Sequence, residues 1–164
     1  MAALFDGRLD LAIVHNTARD RRLVSRPLFR DELVLITPPD HPLAGRPYIN
    51  AADLADEHLI VYAAPREELS VFQKLLFPAG VAPRQVSHLE LTEAIVEMVK
   101  AGLGVGVMAR WAVAPQLAAK SLRAVPLTRR GLYRSWAAVR LRASAPPVYF
   151  NAFIDLLAGK EMFT

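Results

Sequence analysis

The sequence predicts an α/β protein, and three observations lead there. Short apolar runs of strand length alternate with segments of helical spacing, the pattern of a parallel sheet covered by helices. Two runs, near Leu23–Thr37 and Tyr133–Leu141, are longer than a buried parallel strand requires, which marks them as crossovers between two lobes. At 53% hydrophobic and 22% charged, the chain holds ample material for a core and is too apolar for wholesale disorder. Its 164 residues suffice for one ordinary domain or for two small lobes on one chain.

The elements follow in order. Leu4 to Gly7 reads as a helix end, with apolar Leu4 and Phe5 before a terminal glycine. Leu9 to Val14 is a short apolar strand, followed by a polar segment from His15 to Arg22. The first long strand, Leu23 to Thr37, is stopped by Pro38-Pro39-Asp40-His41-Pro42. Asn50 can cap a short helix through Leu54. His58 to Tyr62 is a third strand, and Ala63 to Arg66 a turn. Leu69, Phe72, Leu75 and Leu76 give helical spacing within Glu67–Phe77, closed at Gly80. Arg84 to Leu91 reads as a strand, with Thr92 at the N-cap of the helix that runs to Gly102. A strand over Gly104–Met108, a short helix over Ala112–Lys120 and a strand over Leu122–Leu127 come next. The second long strand, Tyr133 to Leu141, and an amphipathic helix, Pro147 to Leu157, complete the chain.

Several function classes are set aside. No apolar run reaches the ~18 residues of a membrane span, and residues 1–6 show no secretion signal. There is no cysteine, which excludes disulfides, thiolate metal sites and cysteine nucleophiles. His15, His41, His58 and His88 lack metal-ligand spacing, so neither metal nor cofactor is expected. No serine sits in a nucleophile elbow, and Asp53, Asp56 and Glu57 read as helix-terminal charges in a polar connector. With no constellation of nucleophile, base and oxyanion site, the chain does not read as an enzyme. Gly102-Leu103-Gly104-Val105-Gly106 resembles a phosphate cradle only in composition. Here a helix precedes the glycines and a strand follows, the reverse of a nucleotide-binding loop, so they read as a helix cap and tight turn.

Charge and loop position suggest a ligand instead. From Met98 to Ile154 there is no Asp or Glu, while nine Lys and Arg fall in that stretch. This is either a solvated surface or a positive potential favouring a small anion; no aromatic motif interleaves the arginines as a nucleic-acid groove would need. His15 follows a strand at its carboxyl edge, where open α/β sheets place ligands, although solvation in the loop is the reading to prefer from the residue alone. Thr92 at a helix N-terminus offers a hydroxyl beside unpaired N–H groups, or is a plain cap. Arg66 at a strand-to-helix turn can take a carboxylate bidentately, or stay solvated. Tyr62 can present its hydroxyl to a cleft or close the core.

These residues carry a resemblance. Phe5-Asp6-Gly7-Arg8-Leu9-Asp10-Leu11-Ala12-Ile13 is similar to the G-x-L-D-L-A-I segment of LysR-type transcriptional regulators. Pro27 to Leu35 looks like the crossover strand that follows it, and Asp40-His41-Pro42-Leu43-Ala44 like the HPLA turn. Met98 to Met108 resembles the family's V-a-a-G-l-G-i-a-l-l-P segment, with Ala109-Arg110 departing where proline is common. Within the family, Ile60-Val61-Tyr62, Arg66, Leu69, Leu76 to Pro83 and Trp111 most resemble the homocysteine-sensing regulators of methionine biosynthesis.

The resemblance implies two Rossmann-like lobes joined by two crossover strands, like type 2 periplasmic binding proteins. It implies lobe I at residues 1–48 and 136–164, incomplete at its N-terminus, and lobe II at 49–135. It implies an effector in the interlobe cleft, contacted by His15, Asn16, Tyr62, Ala63, Arg66, Leu91, Thr92 and Trp136. It further implies a cytoplasmic homodimer, tetrameric in a full-length form, with DNA bound only through a helix-turn-helix absent from this chain. Effector binding would shift the population of lobe arrangements and so the spacing of DNA-binding domains. The alternative is a solute-binding protein of a transport system with the same two-lobed fold, which would need a secretion signal or anchor.

Overall fold

A computed structural model describes residues 2–15, 20–142 and 148–158. Seven strands and five α-helices are ordered α1 (Ala2–Phe5), β1 (Ala12–Val14), β2 (Leu23–Thr37), β3 (His58–Tyr62), α2 (Phe77–Ala79), β4 (Gln85–Leu89), α3 (Thr92–Lys100), β5 (Val105–Ala109), α4 (Ala114–Ala118), β6 (Arg123–Pro126), β7 (Leu132–Leu141) and α5 (Tyr149–Ala158) among the described residues. The chain divides into two compact units. Unit 1 is Met1–Asp31 with Tyr133–Thr164, and unit 2 is Glu32–Leu132. Both transitions fall in the two long strands, as crossovers require. The lobe boundaries that the resemblance implies, at residues 48 and 135, lie later in the chain. The division comes earlier because residues 33–36 of β2 pair with β5 and β6 and are buried among unit 2 side chains.

Unit 2 carries a sheet in the order β6, β2, β5, β3, β4. The sheet is mixed rather than parallel. β3 runs parallel to β4 and β5, but β2 is antiparallel to both β5 and β6. Strand direction depends on how the chain enters from unit 1, which alternation of elements does not encode. Both faces are buried, with period-two alternation. Leu33, Leu35, Leu59, Val61, Val105 and Val107 point to one core, and Val34, Ile36, Ile60 and Met108 to the other. The first core is closed by Leu54, Phe72, Leu75 and Leu76, the second by Ile95, Val96 and Val99 of α3. Burying each such side chain contributes about 1.5–3 kcal/mol.

Local chemistry sets the ends. Asn50 caps the 3-10 turn Ala51–Leu54, accepting from Ala52 N–H at 2.9 Å, while the Asp53 carboxylate accepts from Asn50 N–H at 2.8 Å. The expected helix over Glu67–Phe77 is a 3-10 turn at Arg66–Glu68, a π-helical turn at Phe72–Leu76 and the short α2, ended by Gly80 in the left-handed region. The glycine triplet behaves as a cap and packing device. Gly102 has φ +72, and a Cβ on Gly104 would meet the His58 carbonyl at 2.4 Å.

Unit 1 pairs β1 antiparallel to β7, with Ala12 opposite Val139, and β7 lies beside the first part of β2. Phe150 and Ile154 of α5 pack with Leu28 and Ala138; Leu4 of α1 packs with Leu23 and Val139. Pro147, expected to open the last helix, lies outside the described residues.

Candidate functional site

In unit 2, β3 delivers Tyr62 at its carboxyl end, and its hydroxyl pairs with the Thr92 hydroxyl at 2.8 Å. This corrects the reading of Thr92. The N-cap of α3 is Leu91, in extended backbone and without a side-chain cap bond, and Thr92 is the first helical residue. Its hydroxyl turns to Tyr62 rather than to the helix N–H groups. The turn after β3 is fixed by Ala63 N–H donating to Leu89 carbonyl at 2.8 Å and Ala64 N–H donating to Tyr62 carbonyl at 2.9 Å. Pro65 then opens the 3-10 turn that begins at Arg66.

Arg66 is exposed. Its guanidinium carbon lies 5.4 Å from the Phe72 ring centroid, and no carboxylate pairs with it among the described residues. Ala63, Ala64, Pro65, Arg66 and His88 line a shallow, open recess of about 410 Å³. His88 was not foreseen. It sits on β4 in register with Val61, so only the pairing of the two strands brings it here. Its Nδ1 lies 3.5 Å from the Tyr62 carbonyl oxygen. Leu91 is 64% exposed, so it offers apolar surface rather than core.

The remaining expected residues lie in unit 1. His15 follows β1, and its ring meets Trp136 edge-on, with centroids 5.1 Å apart at 79°. Phe29 stacks on Trp136 at 5.8 Å and 27°. Arg134 places its guanidinium carbon 5.0 Å from the Trp136 ring centroid. Asn16 lies outside the described residues. Thus Tyr62, Ala63, Arg66 and Thr92 come together around one turn, with Leu91 beside Thr92, and His15 and Trp136 come together in the other unit.

The other histidines have structural tasks. His41 Nδ1 accepts from Leu43 N–H at 3.2 Å, and its Nε2 is 3.5 Å from Glu57. His58 Nε2 pairs with Ser87 Oγ at 2.8 Å. Among the described residues no cluster of His, Asp and Glu could hold a metal ion.

A family model for the LysR substrate binding domain matches residues 1–161. The chain belongs to that family. Among curated relatives, it is 35% identical to the HTH-type transcriptional regulator MetR of Escherichia coli (strain K12), over 93% of this chain and 47% of that protein. It is 32% identical to MetR of Haemophilus influenzae, over 84% of this chain and 44% of that protein. The regulatory domain of the N. meningitidis MetR superposes with a TM-score of 0.89 at 32% identity, covering 96% of this chain and 73% of that one. The Synechocystis CcmR regulatory domain gives 0.81 at 26% identity, with coverage of 96% and 76%. These relatives are transcriptional regulators rather than enzymes, and this LysR-type domain spans about half the length of the curated ones. The fold is therefore that of LysR regulatory domains, with two α/β units joined by two crossover strands. No described helix is long and apolar enough to cross a membrane.

Proposed function

We propose that this domain senses a small amino-acid-like metabolite and thereby controls transcription by the regulator to which it belongs. One observation carries the reading. Arg66 holds a guanidinium with no carboxylate partner among the described residues at the mouth of a recess, on the turn that also bears Tyr62 and its Thr92 partner. A guanidinium binds a carboxylate through two parallel N–H bonds, and the neighbouring hydroxyls can donate or accept to an amino or thiol group. Homocysteine carries all three groups and fits the likeness to the MetR regulators. The CcmR domain, described in complex with 2-PG, supports a small organic ligand on a related domain.

In this reading Tyr62, Ala63, Arg66, Leu91, Thr92, His15, Asn16 and Trp136 contact the effector. Binding shifts a pre-existing conformational equilibrium by its differential affinity. The regulator acts in the cytoplasm as a homodimer or tetramer and reaches DNA through a helix-turn-helix outside this chain. The family match favours this over a transport solute-binding protein. Thermal shift with homocysteine, methionine, keto acids and aromatic carboxylates tests it. Homocysteine should raise the melting midpoint; a rise with a keto acid or aromatic carboxylate alone would reject the homocysteine assignment.

A further inference from the structure

We infer that Arg134 is a positioning residue for Trp136, anchored by Asp31, and not a second anion receptor. The inference rests on the reading of Trp136 as an effector contact and assigns what holds it in place. The Asp31 side chain is 0% exposed and that of Arg134 is 16% exposed. Arg134 Nε donates to Asp31 Oδ1 at 3.0 Å, and Nη2 donates to Oδ2, so the fork meets the carboxylate with both arms. β2 and β7 are neighbours in the sheet, so the anchor stands on the adjoining strand. A guanidinium gripped this way cannot swing, and its carbon lies 5.0 Å from the Trp136 ring centroid.

A second observation points the same way. A buried tryptophan is ordinarily tied by its indole N–H. Trp136 Nε1 is buried and has no hydrogen-bond partner among the described residues. The ring is therefore placed by packing alone: Arg134, Phe29 and His15 meet it, and the cluster of Leu28, Ala138, Phe150 and Ile154 lies against it. Asp31 also neutralises Arg134. Arg134 would then act on affinity through the indole, without contributing charge to the ligand.

The chain has two tryptophans, so Trp111→Phe leaves Trp136 as the sole indole fluorophore. In that background three variants are compared with the parent: Asp31→Leu/Arg134→Met, which strands no buried charge, Arg134→Lys, and Trp136→Phe. Emission and acrylamide quenching are read without ligand, homocysteine affinity by calorimetry, and folding by melting midpoint. The double variant should keep its midpoint, red-shift Trp136 emission, raise its quenching and weaken homocysteine by about tenfold. Arg134→Lys should move both readouts the same way, because an ammonium cannot hold the fork, and it decides the matter if the double variant does not fold. Unchanged emission together with affinity within about twofold of the parent would overturn the assignment. If the parent does not bind homocysteine, or Trp136→Phe binds it unchanged, the effector reading fails, while ligand-free emission still decides whether Arg134 sets the ring.

Discussion

Where unit 2 packs hydrocarbon against hydrocarbon on both faces of its sheet, unit 1 sets a carboxylate and a guanidinium among its aromatic rings. The buried polar residues of unit 2, Thr37 and Ser70, carry no charge, whereas Asp31 of unit 1 is 1% exposed. Two of the arginines that lie beside aromatic rings differ accordingly. Arg134 meets Asp31 with both arms, and Arg66 meets no carboxylate among the described residues. A buried ion pair is weak grounds for stability, since the loss of hydration offsets much of the attraction. Its presence teaches that unit 1 holds a particular arrangement of side chains.

The contrast can be broken at Arg134. Arg134→Ala removes the two-armed partner of the buried Asp31 carboxylate and should cost about 3–5 kcal/mol, read as a lower urea midpoint. Little change would mean that Asp31 is satisfied without Arg134. Next in size is Gly104→Ala, where the added Cβ meets the His58 carbonyl at 2.4 Å. Backbone must shift, at about 1–3 kcal/mol, and the same denaturation measurement checks it. Arg66→Ala should leave stability within about 0.5 kcal/mol, since the side chain is exposed. It should nevertheless weaken a carboxylate effector by about tenfold or more in calorimetry. Smallest is a pH effect in unit 1. The Arg22 side chain, and then its backbone N–H, hold the Asp20 carboxyl at about 2, below its ordinary 3.8. Because the folded value is depressed, its stabilising contribution is present above the ordinary value and fades as pH falls toward about 2. Carboxyl NMR should show that midpoint, and Arg22→Ala should raise it.

What could be read from sequence was local. β3, β5 and α3 were legible because apolar runs, a helix-ending glycine and period-two alternation are encoded within a few residues. The Asn50 cap was legible for the same reason. The direction of β2 was not, because it depends on partners up to about a hundred residues away. Thr92 was placed one residue early in its role, since an extended Leu91 can precede a helix without a side-chain cap. Strand-end position and chemistry single out Tyr62, Arg66 and Thr92 in the sequence, and the parallel β3–β4 pairing is what sets the Tyr62 and Thr92 hydroxyls side by side. His88 escaped because, within β4, it looked like any polar strand residue until register brought it beside Tyr62. The Asp31–Arg134 pair joins residues 103 apart, a separation that no window along the chain spans.

Unit 2 is one unbroken stretch of chain, whereas unit 1 needs residues from both ends of it. During synthesis the stretch 32–132 can therefore collapse as soon as it clears the ribosome. The opening segment must wait for residues 133–141, a delay of about 5–20 s at ordinary elongation rates. Through that interval Leu4, Ala12 and Val14 have no β7 to lie against. A nascent-chain chaperone that shields short apolar segments would raise yield by covering this stretch until β7 emerges.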